Sequence, residues 1–325
     1  NVPVIEWGQV RDGINRGRMS RIQVLAILLC AVLNAIDGFD IAAMVFTGST
    51  ISTQWNLSSA ELGVLLSSSL FGMVLGSFLL TPISDWIGRR KAVILSLFLA
   101  SLGMFWGAYA DGYHEFAASR ILTGMGVGGI VPALSVIIAE YASDKWRSGA
   151  ISFMGVGYTT GAMLGGVLGN ALLSHYGWRS VFLVGGMLTF ALVFAVLAWL
   201  PESVDFLVAR RPLNALDRLN RQLQAMHREP LSMLPLMDNH ISKTGQRSSG
   251  VRRLITGEVL SRTLRLWAMS FLALASMFFA MSWTPRLLVL SGLSEAQSIL
   301  GGVILNGGGV VGCLMFGFVA ARGNF

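Results

Sequence analysis

Three charged residues sit where charge is costly. Asp37 and Asp40 lie inside the apolar run Ala31 to Phe46, AVLNAIDGFDIAAMVF. Arg120 lies inside a second apolar run that continues as ILTGMGVGG. Near the centre of a bilayer, each such side chain costs about 2.5–3.5 kcal/mol on the translocon scale. Spaced three apart, the two carboxylates share one helix face. In a poorly solvated cavity they do not both ionise cheaply, so one is expected to hold a proton. Arg120 needs an anionic partner, and Asp37 and Asp40 are the anions set well inside the apolar runs. Its alternative is to lie near the outer edge and reach for water. Proton exchange beside a buried guanidinium that can grip an anion is the chemistry this set suggests.

The elements that must position these residues are membrane helices. The chain has 325 residues, 54% hydrophobic and 13% charged, against about 25% charged in soluble domains. Eight apolar runs approach the roughly 20 residues that a bilayer core requires. They are Ile22–Phe46, Ala60–Ser84, Ala92–Ala110, Phe116–Tyr141, Ala150–Leu173, Ser180–Leu200, Leu264–Leu290 and Ala296–Ala321. An all-α polytopic membrane protein follows. The net charge of +7 does not indicate a nucleic-acid partner, because the basic residues lie in loops between apolar runs. Apart from Arg120, Arg179 and Arg286, every Lys and Arg falls on one side if the N-terminus is cytoplasmic, which sets the expected orientation.

Residues 1–21 are then a cytoplasmic N-terminus, 22–200 a six-helix bundle, 201–263 a cytoplasmic linker, and 264–325 the first two spans of a second bundle. Within the linker, Asn214–Met226 fits a short amphipathic surface helix and the remainder reads as mobile. The chain begins at Asn1, not Met, and stops just past the eighth span. The expectation is a roughly twelve-span protein, truncated here.

The chemistry of an enzyme is not visible. His114, His175, His227 and His240 are scattered over loops, and no nucleophile motif occurs. Cys30 and Cys313 lie in apolar runs and suggest packing, with no disulfide framework or metal cluster. No cofactor is expected. Gly124, Gly126 and Gly129 fit a dinucleotide fingerprint by spacing, yet no strand precedes them. The first apolar run is too long for a signal peptide.

Several motifs remain. Thr81-Pro-Ile-Ser-Asp-Trp-Ile-Gly-Arg-Arg-Lys91 joins spans 2 and 3. It resembles the loop 2–3 signature of the major facilitator superfamily, G-x-L-x-D-x-x-G-R-[RK]-[RK], with Thr81 in place of the first glycine. The resemblance implies a major facilitator fold, with Asp85, Gly88, Arg89 and Arg90 in a cytoplasmic gate that latches the two halves. Arg120-x-x-x-Gly-x-Gly-x-Gly128 resembles the family's span-4 pattern, whose proton-coupled members pair this Arg with a span-1 Asp. That supports Asp40 as the partner of Arg120. Glu140 and Arg147 bracket the turn after span 4, and Pro201-Glu202-Ser203 resembles a family segment whose Glu joins cytoplasmic ion pairs.

The remaining features are structural first. Gly157, Gly161, Gly165 and Gly169 are each four apart and read as a close-packing face. Pro285 is expected to break span 7, beside Arg286, which either reaches for the interface or meets an incoming anion. Asn306 is a polar group within span 8 that either bonds across helices or faces a substrate. Gly38 admits a neighbouring helix or a ligand. Phe39, Tyr158 and Trp106 are candidate ring platforms, with packing the plainer role for Phe39.

Asp37-Gly-Phe-Asp40 is similar to the D-G-x-D signature of the aromatic acid:proton symporters within this superfamily. With the span 2–3 turn, the span-4 pattern and Pro201-Glu-Ser-x-x-Phe-Leu207, the likeness covers the N-terminal half. It implies a monomeric importer in the bacterial inner membrane that takes a benzoate-, hydroxybenzoate- or phenylpropionate-like carboxylate together with protons. Asp40 would release Arg120 on protonation, and Asp37 would tune the site. A sugar or polyol symporter, another organic-acid symporter, or a drug or cation antiporter of the same fold are the alternatives.

Overall fold

The computed structural model describes residues 7–17, 19–235 and 259–322. They form eleven helices, with no strand among the described residues. Eight helices are long and apolar enough to cross a membrane, one for each expected span. These are α2 (Arg21–Gln54), α3 (Ser59–Ile87), α4 (Arg89–Ala108), α5 (Tyr113–Tyr141), α6 (Asp144–Tyr176) and α7 (Trp178–Trp199). After the linker come α10 (Val259–Leu290) and α11 (Glu295–Arg322). Three short helices complete the set: α1 (Trp7–Arg16), α8 (Val204–Arg210) and α9 (Ala215–Ala225).

Helix α2 runs two turns beyond the expected end at Phe46. The polar residues there do not stop it because they bond to their own helix, as Thr47 Oγ1 does to the Ala43 carbonyl at 2.6 Å. Helix α10 likewise runs through Pro285 to Leu290, so Pro285 does not break it. Helix α9 occupies the expected amphipathic stretch and buries Ala215, Leu219 and Leu223. Helix α8 makes part of the linker ordered where mobility was expected; residues 236–258 of that expectation lie outside the described residues. Helix α1 was unexpected. Its Trp7 and Ile14, two turns apart on one face, are 1% and 2% exposed.

Within the six-helix bundle, α2 packs on α6, α3 packs on α5, and α4 fits between α5 and α7. Small residues set the close contacts. A Cβ on Gly38 would overlap the Tyr158 carbonyl, so α2 and α6 touch backbone to backbone there. Gly157 and Gly161 meet the Ala31 and Ala35 carbonyls in the same way, whereas Gly169 faces open space. Helix α11 packs on α6, and α10 packs on α11 and touches α2. Large apolar side chains such as Phe71, Phe78 and Phe194 point outward and are exposed. That is the inside-out polarity of a bundle whose solvent is lipid. The chain is thus an all-α multi-pass membrane protein.

Candidate functional site

Helices α2, α3, α5 and α7 converge on one buried ion pair. Arg120 Nη2 of α5 donates to Asp40 Oδ2 of α2 at 2.6 Å. The two residues are 0% and 1% exposed, so Arg120 does not reach for the interface. Ser69 Oγ of α3 donates to the same carboxylate oxygen at 3.1 Å. The Phe182 ring of α7 lies 5.4 Å from the guanidinium carbon, within the range of a cation–π contact. Asp40 Oδ1, Arg120 Nε and Arg120 Nη1 are buried without a hydrogen-bond partner. The pair is therefore single-stranded, with donors left over.

Asp37 is 8% exposed and its Oδ1 also lacks a partner. One turn nearer the N-terminus of α2, Asn34 Nδ2 donates to the Met154 carbonyl at 2.9 Å while its Oδ1 stays unpartnered. A cleft beside Arg120 is lined by Ile41, Met44, Leu66, Ser69, Phe278 and Ser282. Its volume is about 10 Å³, room for one water at most. A second cleft of about 30 Å³ holds Arg286, Trp283, Ser49 and Ser298, and it shares Val45, Leu66 and Ser282 with the first. Tyr158 points its hydroxyl at Met281 Sδ of α10, 4.0 Å away. Asn306 is 7% exposed and donates to the Gly302 carbonyl of its own helix, while its Oδ1 is buried without a partner. Phe39 packs in the core beside Met104, and Trp106 bonds Glu115 on the exposed surface at 2.9 Å.

The basic end of the bundle carries a second network. Gly88 adopts φ +103°, open to glycine but strained for other residues. A Cβ there would also crowd Glu202. The turn delivers the Arg90 backbone N–H to Glu202 Oε1 at 3.0 Å. Arg89 pairs with Asp85 at 2.5 Å, one turn back in sequence. Glu140 Oε1 accepts from Ser203 Oγ at 2.8 Å. Arg147 pairs with Asp144 at 2.9 Å and donates to Asn15 at 3.1 Å, so Glu140 and Arg147 do not meet. Asp205 accepts from Trp7 Nε1 and Arg11 of α1.

A family model described as Major Facilitator Superfamily matches residues 27–324. The chain belongs to that superfamily. As a facilitator it is a transporter and not an enzyme. Among curated relatives, a gallate transporter of Pseudomonas putida is 34% identical over 97% of this chain and 69% of its own length. The 4-hydroxybenzoate transporter PcaK of Pseudomonas aeruginosa is 29% identical over 100% of this chain and 72% of its own. Among solved structures, the proton:xylose symporter XylE bound to 6-bromo-6-deoxy-D-glucose aligns with TM-score 0.70 at 20% identity, covering 92% of this chain and 68% of that one. That likeness concerns the fold alone.

In this facilitator the structure brings Asp40 and Arg120 together, leaves Asp37 one turn away, and places Glu202 against the Gly88 turn. Tyr158 points its hydroxyl at Met281 and Asn306 bonds its own helix, so neither donates to the Asp40–Arg120 pair. Ser69 and Trp7 were missed. Ser69 sits in the run Ser67-Ser-Ser69, where the sequence does not say which hydroxyl faces inward. Trp7, Val10 and Ile14 carry a helical apolar spacing that could have revealed α1.

Proposed function

We propose that the chain is the core of a proton-coupled importer of a small aromatic carboxylate, working by alternating access as a monomer in the bacterial inner membrane, with the N-terminus cytoplasmic. The observation that carries this reading is a fully buried Arg120 that spends one nitrogen on Asp40 and keeps Nε and Nη1 unpartnered. Each bidentate fork of a guanidinium pairs Nη2 with one of these free nitrogens, so a fork is complete for a substrate carboxylate once Asp40 releases Nη2. The names of the relatives supply the ring: gallate, 4-hydroxybenzoate and benzoate are carried by proteins that share nearly this whole length. The charge asymmetry of the loops supports the orientation.

The coupling follows from electrostatics. While Asp40 is ionised it neutralises Arg120. A proton on Asp40 removes that neutralisation and leaves positive potential for an incoming carboxylate. Each ligand then favours the other's binding, which is symport by linkage. Asp37 is the second acid of the pair and tunes the site. Asp85, Gly88, Arg89, Arg90, Glu140, Arg147 and Glu202 form the cytoplasmic gate.

Reconstituted protein with an entrapped pH reporter tests this. Substrate-dependent proton entry is expected with 4-hydroxybenzoate or benzoate, and Asp40→Asn should abolish uphill uptake while still inserting. Retained accumulation in Asp40→Asn would refute the coupling role. Glucose competing as well as hydroxybenzoate would favour a sugar symporter of the same fold.

A further inference from the structure

The hydroxyl of Ser69 departs from its neighbours. Buried hydroxyls in membrane helices usually bond back to their own backbone. Here Ser68 does so to Val64 at 2.7 Å, Ser119 to Phe116 at 2.7 Å and Thr123 to Ser119 at 3.0 Å. Ser69, 4% exposed, instead donates across helices to Asp40 Oδ2, the oxygen that Arg120 also uses. Its position is held by backbone contact: a Cβ on Gly124 would overlap the Ser69 carbonyl, so α3 and α5 meet one turn from Arg120.

Resting on the symport reading above, we propose that Ser69 is a positioning residue of the proton site, holding the Asp40 carboxyl group in place both when it is ion-paired and when it is protonated. A guanidinium only donates. A hydroxyl donates to a carboxylate and, by turning about its C–O bond, accepts from a carboxylic acid. When Asp40 takes a proton and Arg120 turns to the substrate, Ser69 is the partner that stays. It keeps the acid in the geometry from which Arg120 can recapture it.

The charged or titratable groups facing Asp40 are few among the described residues. They are Arg120 from α5, Asp37 from its own helix and the Tyr158 phenol from α6. Helix α3 presents Ser69, α7 presents Phe182 to Arg120, and α10 presents Phe278 and Ser282. Loss of the Ser69 donor therefore acts on a small, defined set.

The test compares wild type, Ser69→Ala and Ser69→Thr in proteoliposomes, measuring initial 4-hydroxybenzoate uptake against pH. In Ser69→Ala the pH of half-maximal uptake on the alkaline side should rise by roughly half to one unit, since the charge-assisted bond lost by the carboxylate is stronger than the neutral bond lost by the acid. Ser69→Thr should restore it. The midpoint does not depend on how much protein inserts. An unchanged midpoint in Ser69→Ala, or a Thr variant that behaves like Ala, overturns the proposal. If wild type moves no protons with substrate, the symport reading fails on its own. The infrared carboxyl band that Asp40→Asn removes then decides Ser69: a band with unaltered position and titration in Ser69→Ala refutes it, and a shifted one upholds it.

Discussion

Trp7 Nε1 donates to Asp205 Oδ1 at 2.8 Å, joining residues 198 positions apart. Arg11 reaches the other oxygen of the same carboxylate. The N-terminal helix is thus fastened to the start of the linker. Trp7→Ala empties a buried site and should lower the unfolding temperature in detergent by several degrees. The Arg11–Asp205 pair is partly exposed, so a double-mutant cycle should return a coupling of about 1 kcal/mol or less.

Gly38 and Gly169 give a matched contrast. Gly38→Ala places a methyl on the Tyr158 carbonyl and must part α2 from α6. A loss of about 1–3 kcal/mol is expected, with reduced recovery of monodisperse protein. Gly169→Ala meets nothing within 4 Å and should match wild type in the same chromatographic stability assay.

The Asp40–Arg120 pair predicts non-additivity. Arg120→Gln alone leaves a buried carboxylate without its counter-ion, and breaking such a pair costs about 3–5 kcal/mol. Asp40→Asn combined with Arg120→Gln removes both charges and should recover most of that stability without recovering transport. Arg120→Lys should keep a charge but lose the fork, lowering apparent affinity for the carboxylate roughly 10-fold or more. Thermal unfolding and substrate-concentration curves read the two effects separately.

At the basic end, Gly88→Ala meets two obstacles, a φ of +103° and the Glu202 carboxylate. About 1–3 kcal/mol of strain is expected from the backbone alone. Glu202→Gln keeps an acceptor for the Arg90 and Ser203 N–H groups and should be milder than Glu202→Ala. Unfolding temperatures of the three variants should order as Glu202→Gln highest, with the other two below it.

What could be read in advance followed from cost. A 20-residue apolar run has few fates, so all eight spans were legible, as was the meeting of an intramembrane Arg with an intramembrane Asp. Helix ends were less so, because Thr47 and Pro285 look like terminators and neither acts as one. Contacts between distant segments were least legible. Nothing near Trp7 announces Asp205, and nothing in Ser67-Ser-Ser69 separates the hydroxyl that bonds its own helix from the one that finds Asp40. Those choices are made by helix rotation and tertiary packing, which local pattern does not encode.

The ring of Phe182 has a stereochemical consequence. With the guanidinium carbon 5.4 Å over that ring, Phe182 closes one side of Arg120, and a carboxylate gripped by two nitrogens, as proposed above, would lie in the guanidinium plane. In a benzoate the carboxylate is conjugated with its ring and lies nearly coplanar with it. Fixing the plane of the headgroup therefore fixes the plane of the whole molecule, and the meta and para substituents point in set directions. An aliphatic acid of equal size has no such linkage and would arrive with its tail free to rotate. Discrimination for planar acids can thus begin at the charged end, before any residue touches the ring.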